Sequence, residues 1–361
     1  MKFELPESLN YIAVFLTFDC NLNCSYCIND PDQTGTRKTV FKKRTSLKTE
    51  LTPEEWIRAL KRLPVREDLP ITFQGGEPLL YGKGKGLGKI LAGIPNYADL
   101  LTNFAIPNFA FTPKRFRRKS PYPSVRVSFH QHDMNDLWGD GLAELVIRCE
   151  TLAKRGLTVS PESGKSNVGI YIVDHPQNHI PDEALRKARE RVPVFFKDFL
   201  GICDGKLYGR YAYPLSSDLI STHKYYKTLS CECRTTELLL DPLGFVWNCH
   251  HYLCQSWRGV RPIMLFKEME NFNFSRLKER FYQKGTMFPI GHILDPDFTI
   301  REIETFRQCY YYGCCLGCDT KLKRDRFATE NVYRSSVIIR NIDWPKELLP
   351  EVSNDYKGYF R

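Results

Sequence analysis

The sequence predicts an α/β protein: a partial (β/α)6, TIM-like barrel with a small C-terminal domain of β-hairpin and helix. Three observations lead there. Strand-like and helix-like segments alternate for about 200 residues, the pattern of a parallel sheet layered with helices. Six such units are present, short of a closed eight-stranded barrel. After Ser221 the alternation stops and a short hairpin flanked by cysteines takes over. The length, 361 residues, suits two domains better than one core.

Each element has a local reason. Residues 11–18 (YIAVFLTF) are apolar, β-branched and aromatic, as a buried strand requires. A basic, polar stretch from about Asp30 to Lys48 reads as an exposed loop. Thr52-Pro53-Glu54-Glu55 opens a helix, with Thr52 as N-cap, Pro53 at the first position and acids in the first turn. Trp56, Leu60 and Leu63 supply its apolar face. Further strands are expected at 70–74, 97–103, 124–129, 168–173 and 194–202, with helices at 142–155 and 182–191. The hairpin pairs 235–240 with 245–248 around Asp241-Pro242-Leu243-Gly244, a Pro/Gly turn. The expected division is a barrel over 1–215, a second domain over 216–326 and a docking tail over 327–361.

Composition narrows the class. Hydrophobic residues are 42% and charged residues 26% of the chain, so it folds as a globule. The apolar runs fall short of the roughly 18 residues a membrane helix needs. The N-terminus carries acids and a proline where a signal peptide needs an apolar run, so a cytoplasmic location is expected, with no membrane partner. Thirteen cysteines in a reducing compartment point first to metal. Three lie close together, Cys20, Cys24 and Cys27; eight fall between Cys231 and Cys318. Cys149 and Cys203 stand apart in apolar contexts and read as buried thiols.

Cys20-Asn-Leu-Asn-Cys24-Ser-Tyr-Cys27 is CxxxCxxC directly after a strand. Three soft thiolates in a compact loop suit a [4Fe–4S] cluster with one iron left open to a substrate or cofactor. A structural zinc or free thiols is the alternative. Here the sequence resembles the radical S-adenosylmethionine (SAM) superfamily. That family has CxxxCxxC after the first barrel strand with an aromatic before the last cysteine, as Tyr26 is here. It also has a GGEP-type segment after the second strand, matched by Gly75-Gly76-Glu77-Pro78. The glycines let backbone approach a ligand closely.

The resemblance implies that SAM chelates the open iron through its amine and carboxylate, with the Glu77 carboxylate receiving the amino group. An electron from the cluster then cleaves SAM to methionine and a 5′-deoxyadenosyl radical, which takes hydrogen from a substrate. Two further matches are partial. Thr102-Asn103 resembles the family's Thr-Asn-Gly, with Phe104 in place of glycine, and Ser128 ends the fourth strand where a ribose contact is common. Cys20, Cys24 and Cys27 are thus the expected cluster ligands, and Tyr26, Gly75, Gly76, Glu77, Pro78, Asn103 and Ser128 the expected SAM site.

The later cysteines resemble the auxiliary-cluster domains of the same superfamily, called SPASM and its shorter form, twitch. Cys231 or Cys233, a spacer, Gly244-x-x-x-x-Cys249 on a hairpin and a closing Cys315-Leu-Gly-Cys318 follow that pattern. The resemblance implies a second [4Fe–4S] cluster on one of Cys231 and Cys233 with Cys249, Cys315 and Cys318. Cys254, Cys309 and Cys314 have no place in it. A zinc site with four cysteine ligands is the alternative reading. His250 and His251, directly after Cys249, read as loop residues or contacts around the site.

The net charge is +10, and three segments concentrate it: 37–48, 114–119 (KRFRRK) and 82–89 (GKGKGLGK). All are expected in barrel loops, as a solvated face or as a rim for an anionic substrate. The last is not a Walker A loop, since Ile90 follows where Ser or Thr is needed. Two bound clusters would bring the charge to about +7. The expected activity is oxidation or another modification of a peptide or small polar metabolite, fed by a reductant such as flavodoxin or ferredoxin. The first cysteine lies at position 20, so no peptide-recognition domain is expected before it. A nucleotide or nucleic acid is a second substrate class, and a zinc- or Fe–S-stabilised nucleic-acid-binding protein without catalysis a rival of another kind.

Overall fold

The computed structural model describes residues 2–24, 26, 27, 50–106, 115–117, 123–157, 167–199, 201–203, 206–208, 231–250, 253, 289–308, 322–325, 331 and 332. Six strands form the barrel wall: β1 (Tyr11–Thr17), β2 (Ile71–Gly75), β3 (Ala98–Thr102), β4 (Val125–Phe129), β5 (Val168–Asp174) and β6 (Val194–Asp198). They pair in sequence order and all parallel, as the alternation of strand and helix predicts. The helices are α1 (Pro53–Leu60), α2 (Gly86–Gly93), α3 (Gln131–Trp138), α4 (Gly141–Lys154) and α5 (Asp182–Arg189).

One face of the sheet carries Ile12, Val14, Leu16, Phe73, Leu100, Val127 and Ile170, which pack with Trp56, Leu60, Ile90 and Leu145 into the main core. Burying each such side chain contributes about 1.5–3 kcal/mol. The alternate positions on β2 to β5 are largely polar: Thr72, Gln74, Asp99, Arg126, Ser128 and Tyr171. On this face Asp99 Oδ1 and Arg126 Nη2 form a buried ion pair at 2.9 Å. Cys149 lies fully buried in the main core, and that burial pushes its thiol pKa up. The side chain of Cys203 lies outside what is described.

The helix boundary at Thr52 follows the sequence prediction in detail. The Thr52 hydroxyl accepts the Glu55 N–H at 3.2 Å, and the Glu55 carboxylate accepts the Thr52 N–H at 2.7 Å. Such a reciprocal cap contributes about 1 kcal/mol. Elsewhere boundaries moved. The third strand stops at Thr102, one residue early, and Asn103 begins the loop. The expected strand 194–202 divides into β6 and a separate hairpin of β7 (Gly201–Cys203) and β8 (Lys206–Tyr208).

Two basic segments are not simple loops. Residues 82–85 are a turn, with positive φ at Gly82, Lys83 and Gly84, but Gly86 to Lys89 begin α2. A Cβ on Gly86 would lie 2.4 Å from the Tyr81 ring, so the glycine there serves packing. Within 114–119, Phe116 is buried and bridges to Ala98. Arg115 donates to the Pro95 carbonyl at 2.7 Å, and Arg117 pairs with Glu67 at 2.8 Å beneath the Tyr97 ring. These arginines fasten a core aromatic to the edge of the wall. Residues 37–48 lie outside the described residues.

The predicted hairpin is present as β10 (Glu237–Leu240) and β11 (Phe245–Trp247). Its turn is built by Asp241, whose Oδ1 accepts the N–H of Leu243 and of Phe245 and whose Oδ2 accepts the Trp247 indole N–H, each at 2.9 Å. Gly244 completes it at φ +87. The hairpin is not set apart from the barrel. β10 pairs parallel with β1, from Tyr11↔Glu237 to Val14↔Leu240, and β12 (Gly291–His292) adds to β11. The result is one nine-stranded sheet, β12-β11-β10-β1-β2-β3-β4-β5-β6. Ala13, Phe15 and Phe18 pack against Leu239, Phe245 and Trp247 in a second core that closes this junction. A four-stranded antiparallel sheet has the order β13 (Arg307–Gln308), β9 (Cys231–Arg234), β14 (Leu322–Asp325) and β15 (Asn331–Val332).

Candidate active site

The chain leaves β1 at the C-terminal edge of the parallel sheet, where barrel folds carry their chemistry. The next residues are the first cysteine loop. Leu22 and Cys24 are buried in the main core and anchor it, while Cys20 and Cys27 are half-buried. The Cys27 N–H closes a turn on the Cys24 carbonyl at 3.2 Å. Asn23 N–H donates to Asp133 Oδ1 at 2.8 Å, which ties the loop to the first turn of α3. At the start of the loop the Thr17 hydroxyl donates to Glu50 at 2.7 Å and accepts the Asp19 N–H at 3.1 Å. Burial pushes the Glu50 pKa up to about 7.

The Gly75-Gly76-Glu77 backbone is fastened to this same start. Gly76 N–H donates to the Thr17 carbonyl at 2.8 Å, and Glu77 N–H to the Asp19 carbonyl at 2.6 Å. A Cβ on Gly75 would lie 2.1 Å from the Thr17 oxygen, and one on Gly76 2.2 Å from the Asp19 oxygen. Gly75 also has φ +145. The close approach that makes glycine necessary is therefore to the cysteine loop itself, where the sequence led us to expect a ligand.

Glu77 is held within the wall. Its side chain is fully buried. Oε1 accepts the Thr102 hydroxyl at 2.7 Å and the Leu79 N–H at 2.9 Å; Oε2 accepts the Asn103 N–H at 2.7 Å. The carboxylate expected to receive the SAM amino group braces the ends of β2 and β3. Desolvation pushes its pKa up to about 7, against those three donors. Pro78 opens the short 3₁₀ turn Pro78–Leu80 that Glu77 caps.

Asn103 does reach the cysteine loop. Its Nδ2 lies 2.9 Å from Asn21 Oδ1 and 3.5 Å from Cys20 Sγ, and its Oδ1 accepts the Ala105 N–H at 2.9 Å. Phe104, which stands where the resemblance has glycine, takes φ +53. Its N–H donates to the Thr102 hydroxyl at 2.9 Å, and Arg148 donates to its carbonyl at 3.2 Å. The backbone keeps the left-handed conformation that glycine adopts without strain. Ser128 is half-buried on the polar face, opposite Tyr171.

Tyr26 stands among residues that the sequence reading missed. Its ring stacks on His175 at 4.7 Å and 27°, and meets Phe199 edge-on at 6.2 Å. Its hydroxyl lies 3.2 Å from His130 Nδ1. His130, His175 and Phe199 each stand one residue beyond the end of β4, β5 and β6. That position, at the catalytic edge of a barrel, was the available signal.

Of the second cysteine group, Cys249 and the β9 backbone are described, and they lie toward the opposite edge. β11 runs antiparallel to β10, so the chain leaving it at Asn248 and Cys249 heads for the N-terminal edge of the sheet. His250 Nδ1 lies 3.7 Å from Glu237, the first residue of β10. β9, with Cys231 and Cys233, leads into β10 through two residues and so reaches the same edge. Cys249 is buried in the second core. The side chains of Cys231 and Cys233, and all of His251, Cys254, Cys309, Cys314, Cys315 and Cys318, lie outside what is described.

The donor set of the first loop suits an iron–sulfur cluster. A cubane cluster takes one thiolate per iron, so its sulfurs spread around a cage. No helix among the described residues is long and apolar enough to cross a membrane.

Comparison with known proteins found a curated relative, a solved structure and a family model. The chain is 24% identical over 282 residues to TigE, a radical SAM cyclopropyl synthase of Paramaledivibacter caminithermalis. The match covers 69% of this chain and 59% of that relative, so this chain spans about three-fifths of its length. Among solved structures, Streptococcus suis SuiB bound to its precursor peptide SuiA matches at 13% identity with a TM-score of 0.32, over 60% of this chain and 45% of that one. The model of the Radical SAM superfamily matches residues 14–202, more than half of the chain, from within β1 to within β7. The chain belongs to the radical SAM superfamily, which implies SAM and a [4Fe–4S] cluster as its cofactors.

Proposed function

We propose that this protein cleaves SAM reductively to a 5′-deoxyadenosyl radical, takes hydrogen from a peptide or small polar metabolite, and uses one auxiliary [4Fe–4S] cluster as electron acceptor or substrate anchor. The observation that carries the reading is the cysteine loop at the C-terminal edge of β1, bonded to Gly76, Glu77 and Asn103. Cys20, Cys24 and Cys27 hold the SAM cluster. Asn103 orients the Cys20 side of the loop, and Glu77 holds Asn103 in place.

The polar face of β2 to β5, with Gln74, Arg126, Ser128 and Tyr171, favours a polar substrate over a hydrocarbon one. An auxiliary cluster on Cys249, one of Cys231 and Cys233, Cys315 and Cys318 is supported by the arrival of β9 and β11 at one edge of the sheet. Oxidation of the substrate is the favoured outcome, with electrons supplied by a flavodoxin or ferredoxin. Nucleic acid is the weaker substrate class, because Arg115 and Arg117 are engaged by the protein itself.

Anaerobic reconstitution with SAM, reductant and candidate substrates tests this. Deoxyadenosine should form and Cys24→Ala should abolish it. About eight irons per chain would support two clusters and about four only one. Deoxyadenosine from pure Cys24→Ala protein would sink the assignment.

A further inference from the structure

We propose that His130 and His175 are positioning residues for the iron–sulfur loop, acting through Tyr26. The inference rests on the family assignment of Cys20, Cys24 and Cys27, and adds what holds their loop in register with the far wall of the barrel. Cys27 has Tyr26 as its chain neighbour, and the Tyr26 ring is gripped from three strand ends at once. His175 stacks on its face, His130 meets its hydroxyl and Phe199 meets its edge. Phe199 also packs edge-on against His175 at 4.4 Å, so the stacking partner is itself braced. The His175 Nδ1 accepts the Gln177 N–H at 3.2 Å, which sets the plane of that imidazole. The Tyr26 O–H can donate to His130 Nδ1.

These contacts complement those on the other side of the loop. Asn103, Gly76 and Glu77 hold the Thr17 to Asn21 half to β2 and β3. Tyr26 holds the Cys24 to Cys27 half to β4, β5 and β6. A loop carrying three cluster ligands is thus fixed at both ends against different strands. One aromatic set by stacking and one hydrogen bond supplies the second fixing point. Loss of one such hydrogen bond should change the loop's order by about two- to ten-fold.

The test uses the metal-free full-length chain and then the reconstituted protein. In the metal-free chain the rate of Cys27 alkylation by iodoacetamide, read by peptide mass spectrometry, reports the order of the loop. His130→Ala and Tyr26→Phe should each raise it about two- to ten-fold, and the double variant should go no further, because both remove one bond. His130→Gln, whose amide oxygen can accept the hydroxyl, should stay near the wild-type rate. His175→Phe should also stay near it, and His175→Ala should not. In the reconstituted protein, His130→Ala should shift the electron paramagnetic resonance spectrum of the reduced cluster with SAM, and His130→Gln should restore it. Unchanged alkylation in the single variants would overturn the proposal. So would effects that add in the double variant, or a His130→Gln protein that behaves like His130→Ala. Failure of the wild-type chain to bind a cluster would instead count against the cofactor assignment.

Discussion

The Glu77 carboxylate accepts the backbone N–H of Asn103 at 2.7 Å, and this bond joins the end of β2 to the end of β3 inside the wall. With the Thr102 and Leu79 donors it makes Glu77 the keystone beneath the cysteine loop. Glu77→Gln keeps the shape but must turn its amide N–H toward a donor. A cost of about 1–3 kcal/mol is expected, read as a lower urea midpoint.

The same residue predicts a pH dependence. Its pKa is raised in the fold to about 7 from the ordinary carboxylate value of 4.5. The folded state therefore binds the proton more tightly. That stabilisation is fully present below the unfolded value and is lost as pH rises through about 7. The wild-type advantage over Glu77→Gln should grow between pH 7 and pH 4.5 in paired urea titrations. Glu50 and Asp241, with carboxyls also raised to about 7, are present in both proteins and cancel in the difference.

Phe104 offers a test of backbone conformation. Its buried ring contributes about 3–5 kcal/mol, so any truncation destabilises. At φ +53, however, glycine is unstrained and alanine is not. Phe104→Gly should therefore be more stable than Phe104→Ala by about 1 kcal/mol, the reverse of the usual order. Denaturant midpoints of the two variants decide it.

Asn103→Ala removes the amide that lies against Cys20 Sγ and Asn21 Oδ1. The reconstituted variant should lose its visible iron–sulfur absorbance several-fold faster in air than wild type, roughly the loss of one hydrogen bond. Equal bleaching rates would show that the amide does not restrain the loop.

The buried Asp99–Arg126 pair predicts strong coupling. Arg126→Met alone leaves a buried carboxylate and should cost about 3–5 kcal/mol. The double change with Asp99→Leu should cost much less than the sum of the singles. A double-mutant cycle in urea measures the difference.

Much of the fold was legible because its signals are local. The apolar, β-branched runs that became β1 to β5 announce themselves within a few residues, as do the Thr52 cap and the Asp241 turn. The segment at 82–89 misled because glycine marks both a turn and a helix that packs tightly on Tyr81. The KRFRRK segment misled because the one side chain that mattered, Phe116, was hidden among charges.

The sequence by itself determined the chemistry at hand: three thiols in one loop, a glycine pair with its glutamate, and a second group of cysteines on a hairpin. Residue type and spacing carry that information. Only the tertiary structure decided how these parts are used. It turned Glu77 inward, set the glycines against the cysteine loop, and joined the hairpin to the barrel sheet through β1. It also gathered His130, His175 and Phe199 around Tyr26. The reason is physical: such contacts depend on strand register and on which strand ends converge in space, and partners separated by up to 226 residues leave no local pattern to read.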